Sequence, residues 1–432
     1  MTRERLSQRR VYYLLSAVSG FLFTFAFTLL LVFHVRVAHL TPVELVLVGT
    51  VMEITCLLGE VPTGVLADAR SRTLSVQIGL ILIGLSLVLQ GALPVFGWIL
   101  AAQVVWGIGY TFTSGAIEAW IADEVGEDQL THVFLRGRRF GIGAMILGSV
   151  AAGAVGTLDL RMPMLIAGGG YLVLAAVLVV IMKEPHFTPA AAGDRLTFTL
   201  MRDTFAAGVR QARQRPLIRS FLLVSLLAGL SGEAFDRLWT AHLMESFRPP
   251  SVAAWFAGLA IVGQLIGLAV NYGVERAGLT ETDRPGRLLA VLTVVQVVGM
   301  AGFALAGTLW AAVGALWARD AARALSGPLE SAWLNRGIDS SSRATVLSVN
   351  SQFDAFGQVV GGPPLGALAG RTSIPVALLV SAGLLAPAAW IFTRLARTAG
   401  GGRDGSDRGG LAGGGPAGGD SRPAVGPTEI GQ

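Results

Sequence analysis

The chain has 432 residues, 53% of them hydrophobic and only 14% charged, against about 25% charged in an ordinary soluble protein. Its net charge is +5 with lysine almost absent, and the arginines gather at the ends of apolar runs rather than along one face, which excludes a nucleic-acid binder as the natural reading. A single cysteine, Cys56, excludes a disulfide framework and a thiolate metal centre within one chain.

A helix that crosses the roughly 30 Å of bilayer hydrocarbon needs about 20 apolar residues. The first such stretch, 11–35, follows a basic segment, Met1 to Arg10. It is too long for the apolar part of a signal peptide and lacks a small-residue cleavage site, so it reads as a span. Further spans are expected at 43–66, 73–93, 98–122, 140–158 and 162–182. After a linker come 221–244, 253–274, 288–306, 309–333, 345–369 and 374–395. The fold class is therefore an all-α membrane protein of twelve transmembrane helices. The expected organisation is a six-helix bundle over 1–182, a linker over 183–219, a second six-helix bundle over 220–397 and a tail over 398–432. Within the linker, 196–214 alternates polar and apolar residues at near-helical spacing and reads as a surface helix. The tail is Gly-rich and too poor in apolar residues to fold.

Basic residues set the orientation. With the N-terminus inside, the inner segments hold Arg3, Arg5, Arg9, Arg10, Arg70, Arg72, Arg136, Arg138, Arg139, Arg276, Arg336 and Arg343, while the outer loops hold only Arg36, Arg161, Arg248 and Arg371. Both termini are expected on the cytoplasmic side of a bacterial inner membrane.

The two halves read as a duplication. Ser19-Gly20 and Ser114-Gly115 recur as Ser231-Gly232 and Ser326-Gly327 at one offset, and Glu118 recurs as Glu330 at the same offset. The fifth and eleventh spans are both glycine-rich, with Gly148, Gly153 and Gly156 against Gly357, Gly362 and Gly366.

The junction of spans two and three reads Gly64-Val65-Leu66-Ala67-Asp68-Ala69-Arg70-Ser71-Arg72. It resembles the signature loop of the major facilitator superfamily, Gly-x-Leu-Ala-Asp-Arg-x-Gly-Arg-Arg. Gly64, Leu66, Ala67, Asp68 and Arg72 match it, while Ala69, Ser71 and Thr73 depart from it. Gly59-Glu60-Val61-Pro62-Thr63 and the run from Arg343 to Ser348, with Gly357 and Gly361-Gly362-Pro363, resemble a bacterial drug-efflux branch of that superfamily. The resemblance covers about residues 11–395. It implies two pseudo-symmetric bundles, a central cavity lined by spans one, four, seven and ten, and a loop that latches the halves when the outside-facing state forms. Gly64 suits a close helix contact, Asp68 and Arg72 suit charge-assisted bonds, and Asp123 is the expected partner of Arg72. A topogenic loop without a gating role is the plainer alternative. Two departures put antiport in question: Gln103 stands where such exporters carry an Arg, and the Gly-Pro pair falls in span eleven, as Gly362-Pro363, instead of span five.

Intramembrane charges need a reason, because each costs several kcal/mol. The acids are Glu53, Glu60, Glu118, Glu233, Asp236, Asp320, Glu330 and Asp354, and the bases are Arg237, Arg319 and Arg323. Spans seven and ten hold most of them. The spacing of Glu233, Asp236 and Arg237 predicts one shared helix face, and so does that of Arg319, Arg323 and Glu330. The two faces are expected to meet, either as the proton-coupling site, together with Asp320, Glu53 and Asp354, or as a fixed structural network. A surplus acid there is a candidate proton carrier, since desolvation favours the neutral carboxyl. Tyr110, Thr113, Glu118 and Glu330 are candidates for the substrate cavity, the two glutamates alternatively as partners of loop arginines. Phe21, Phe23, Phe25 and Phe27 in span one face either the cavity or lipid.

There is no phosphate-binding loop, serine-hydrolase pattern or His/Cys cluster. No enzyme activity, cofactor or metal is expected. The leading expectation is a monomeric transporter of a small amphipathic molecule that exports it against protons. A proton-coupled nutrient symporter and a non-transporting membrane receptor or scaffold remain alternatives.

Overall fold

The computed structural model describes residues 3–189, 215–279, 285–336, 338 and 343–401, with single positions at 199, 202, 203, 206 and 210. The expected surface helix over 196–214, those positions apart, and the tail beyond 401 lie outside the described residues. The first half contains α1 (Arg3–Arg36), α2 (Pro42–Ala69), α3 (Arg72–Ala92), α4 (Phe96–Thr113), α5 (Ala116–Val125), α6 (Glu127–Gly156) and α7 (Met162–Ile181). The second contains α8 (Pro216–Phe247), α9 (Val252–Arg276), α10 (Pro285–Leu305), α11 (Leu309–Arg336), α12 (Arg343–Arg371) and α13 (Ile374–Gly401).

These helices make twelve spans in two six-helix bundles. Nine are long and apolar enough to cross a membrane by composition alone. The others are α4, its continuation α5, and the polar helices α11 and α12. The fourth span is not the continuous helix expected over 98–122. It breaks at Ser114-Gly115, where Gly115 has φ +73°, a conformation that glycine adopts without a Cβ clash. The repeated Ser326-Gly327 stays inside α11, so the duplicated pair has two backbone outcomes. The fifth span also starts earlier than expected, since α6 begins at Glu127.

Both halves pair their helices alike. Span one packs on five as seven packs on eleven, three packs on six as nine packs on twelve, and three packs on four as nine packs on ten. Glycines set these distances. A Cβ on Gly84 would lie 2.8 Å from the Gly168 carbonyl oxygen, and one on Gly109 would lie 2.8 Å from that of Gly79. In lipid, where burying apolar side chains gives helices no advantage over tails, such close backbone packing drives association.

The halves approach each other at the end that carries the loops after α1, α6, α8 and α12. On α12, Gly362, Gly366 and Gly370 recur every four residues and lie against Thr50, Val46 and Val43 of α2. Gly153 and Gly156 of α6 lie against Ala257 and Ala253 of α9. The glycine-rich fifth and eleventh spans thus do the same work. Each packs inside its own bundle through some glycines, Gly148 on Phe21 and Gly357 on Leu226, and across to the other bundle through the rest.

Candidate functional site

The charges of spans seven and ten do meet. Asp236 on α8 accepts from Arg319 Nη2 and from Arg323 Nη1, each at 2.8 Å. Arg319 Nη1 also donates to Asp320 at 2.8 Å, and the guanidinium carbon lies 4.4 Å from the centre of the Phe235 ring. Arg319 and Arg323 are one turn apart on α11, which is why one aspartate can hold both. Gly299 on α10 lets α11 come in close at this point, where a Cβ would sit 2.9 Å from Arg319 Cβ. Arg319 is buried, and in that setting two carboxylates and a ring face replace its hydration.

Glu233, Asp236 and Arg237 do not act as one face. Arg237 Nε donates to Glu233 at 2.9 Å, and this pair turns toward Gly49 of α2 and Gly362 of α12, leaving room for no side chain at either glycine. Asp236 turns to α11 instead. The correction is geometric: successive residues rotate by about 100°, so Asp236 and Arg237 diverge enough to address different neighbours. Glu330 likewise does not join Arg319 and Arg323. Neither Glu330 nor Glu118 forms an ion pair with a loop arginine or any other described residue. Glu118 is exposed and Glu330 half-buried.

Two spaces adjoin the network. A small one, of about 50 Å³, lies within the second bundle against Gly229, Asp236, Arg319, Arg323 and Asp354. Asp354 there accepts from Gln358 at 2.8 Å. A larger cavity, of about 480 Å³, lies between the bundles, with Phe27 and Thr28 of α1 on one side and α8, α9 and α11 on the other.

The aromatic first span resolves into two stacks. Phe21 and Phe25 stack at 5.6 Å, and Phe23 and Phe27 at 4.3 Å. Phe25 is buried, whereas Phe27 reaches the large cavity and continues through Trp106, at 5.7 Å, to Tyr110, at 5.3 Å from Trp106. Thr113 is buried and spends its hydroxyl on the Tyr110 carbonyl at 2.8 Å, so it has no spare donor for a ligand. Glu53 and Glu60 on α2 have no basic partner among the described residues. Gln103 is buried and donates to Gln90 Oε1 at 3.3 Å, while His34 Nε2 lies 3.1 Å from the same oxygen. A hydrogen-bonded chain of Gln103, Gln90 and His34 therefore occupies the place where the resemblance to exporters implies an arginine.

The signature loop is anchored within its own half. Arg72 binds the Asp123 carboxylate and donates to the Ala119 carbonyl at 2.6 Å. Glu184, just past α7, accepts from the backbone N–H of Arg72 at 3.0 Å and of Thr73 at 3.1 Å, and from the Ser71 hydroxyl. Leu66 and Gly64 lie in the last turns of α2, and Asp68 makes no ion pair with a described residue.

Several site residues escaped the sequence reading. Glu184 lies at the start of the expected linker, where nothing local in the sequence marks it as an anchor of the loop. Gln264 and Ser149 join the halves through a 2.7 Å hydrogen bond, and Ser149 lies 3.1 Å from Thr28. Trp239, Phe256 and Trp317 line the large cavity. Only a polar residue inside an otherwise apolar span signals Gln264, and nothing local distinguishes the aromatics from lipid-facing ones.

The sequence model of the Major Facilitator Superfamily matches residues 12–327. The chain is 23% identical over 348 residues to an uncharacterized MFS-type transporter, YxaM, of Bacillus subtilis (strain 168), covering 78% of this chain and 83% of the relative. Its fold is similar to that of a mutant of the nucleoside transporter NupG, with TM-score 0.73 at 17% identity over 90% of this chain and 99% of the other. It is also similar to an inward-facing, unoccupied bacterial homologue of the human lysosomal transporter Spinster, with TM-score 0.68 at 15% identity over 92% and 98%. Twelve spans in two bundles, a matching signature loop and a family match across most of the chain lead to one conclusion: this protein belongs to the Major Facilitator Superfamily, a family of membrane transporters.

Proposed function

We propose that this chain moves a small amphipathic organic molecule by alternating access, driven outward by the proton gradient. The observation that carries the reading is the cavity between the bundles, which sets the aromatic wall of Phe27 opposite the charged wall of Asp236, Arg319 and Asp320. An apolar body and a polar group find separate surfaces there. Residues 1–182 and 220–397 are the rocking bodies and 183–219 is the connection, with one copy of the chain as the working unit. The arginine asymmetry supports both termini in the cytoplasm. The glycine contacts then seal the outer end, and Arg72 and Asp123, bound within their own half, leave the inner end free to part.

Proton coupling draws on the charge balance. Arg237, Arg319 and Arg323 are each bound to acids of the second half. Glu53, Glu60, Glu118, Glu330 and Asp354 have no basic partner among the described residues. Acids without a fixed counter-charge are the groups that can load and release a proton as the cavity changes sides. Asp236 is the hinge of the network, since its protonation would release Arg323 and leave Arg319 to Asp320 alone.

The test uses inverted membrane vesicles and a panel of toxic compounds chosen from a susceptibility screen of deletion and overexpression strains. Accumulation should require a pH gradient and collapse with a protonophore, and Asp236→Asn should abolish coupling in a folded protein. Protonophore-insensitive transport, or a wild-type pH dependence in Asp236→Asn, would contradict the reading.

A further inference from the structure

The large cavity between the bundles has a definite polarity. Its arginine is already engaged: Arg319 is bound to Asp236 and Asp320, and Arg323 completes Asp236 from behind. The two arginines balance the two aspartates, which leaves no net positive charge to receive an anion. Asp320 uses one carboxylate oxygen on Arg319, and its side chain is still 46% exposed.

One more acceptor on the wall lacks a partner: Gln264 spends its amide N–H on Ser149, while its buried Oε1 has no hydrogen-bond partner among the described residues. A buried polar atom left unpaired destabilises the fold, so a site that keeps such an acceptor beside the free oxygen of Asp320 is built for something positive that faces them. Around them stand Phe27, Trp239 and Phe256, and the Trp239 and Phe256 rings lie 5.7 Å apart. Aromatic faces attract cations, and about 480 Å³ is the volume of a drug-sized pocket.

We infer that this cavity is the substrate subsite and that it takes an organic monocation with an aromatic body, a protonated amine being the natural form. The charge rests on the free oxygen of Asp320 and on Gln264 Oε1, and the rings lie among Trp239, Trp317, Phe256 and Phe27. This rests on the transport reading above and names the class of molecule carried. A neutral or anionic ligand of the same shape leaves the Asp320 carboxylate and the negative end of the Gln264 amide without a positive charge to face.

The test compares two probes of one shape and opposite charge, tetraphenylphosphonium and tetraphenylborate, in equilibrium binding to the full chain in lipid nanodiscs. Saturable binding of the phosphonium alone is expected. Asp320→Asn should weaken it by about tenfold or more. Because Asp320 also holds Arg319, Trp239→Ala and Gln264→Leu provide a second reading that leaves the ion pairs intact, each with a loss of several-fold. Trp390→Phe, on the exposed face of α13, should leave affinity unchanged. Equal binding of tetraphenylborate, or unchanged phosphonium affinity in both Asp320→Asn and Trp239→Ala, overturns the inference. Proton-driven transport of neutral or anionic compounds without phosphonium binding overturns the cation class and leaves transport standing. Saturable phosphonium binding without any proton-driven transport supports the site and removes the transport reading.

Discussion

Gly366→Leu tests how the bundles close. A Cβ added at Gly366 would lie 3.0 Å from Val46 Cβ, 3.3 Å from Val46 Cγ2 and 3.5 Å from the Val43 Cα. Val46 is fully buried and β-branched, so it has few rotamers with which to give way. Leucine would add three more carbons beyond that first one. Overpacking of this kind costs about 1–3 kcal/mol, which is roughly a 5- to 140-fold change in an equilibrium at 1.4 kcal/mol per tenfold. The cost falls only on the conformation in which α2 and α12 touch, so the population should move toward the one in which that end is parted. Spin labels at Glu44 and Arg371 bracket the sealed end, and labels at Arg70 and Arg343 bracket the other. With Cys56 replaced, electron–electron distance measurements should show the first pair lengthening and the second shortening in Gly366→Leu. Gly383→Ala on α13, where a Cβ meets nothing within 4 Å, should match the wild type. Wild-type distances in a folded Gly366→Leu protein would refute the seam as the closing contact.

Other outcomes follow from single interactions. Arg72→Ala removes the ion pair to Asp123 and the bond to the Ala119 carbonyl. Hydrogen bonds to charged groups contribute about 1.5–3 kcal/mol, so stability in a detergent unfolding titration should fall by that order. A double-mutant cycle with Asp123→Asn should be non-additive, and simple additivity would show that the pair is not coupled. Ser149→Ala removes the acceptor of the Gln264 hydrogen bond between the halves. Such bonds in membranes average about 0.6 kcal/mol and reach about 1.7, which predicts a small shift of the same spin-label distances toward the parted state, and no shift would show that the bond contributes nothing to closure.

The spans, their two-fold arrangement and the signature loop were all legible in the amino-acid order, because each is written locally. An apolar run of bilayer length is a span wherever it occurs, and Gly64, Asp68 and Arg72 form a recognisable pattern within a few residues. Arg72 could even be matched to Asp123, since both fall at the same end of neighbouring spans. The partners of the buried charges needed the tertiary structure. Spacing put Glu233, Asp236 and Arg237 on one broad face, but helix packing decided that Glu233 and Arg237 turn to α2 and Asp236 to α11. The same holds for the repeats: Ser114-Gly115 breaks its helix and Ser326-Gly327 does not, although the dipeptides are identical. The glycine seam of α12 could be counted in the sequence, but that it lies on Val43, Val46 and Thr50 of the other half could not. Sequence specifies what each helix can offer on each side, whereas the choice among neighbours depends on how whole bundles pack, and that information is spread over contacts hundreds of residues apart.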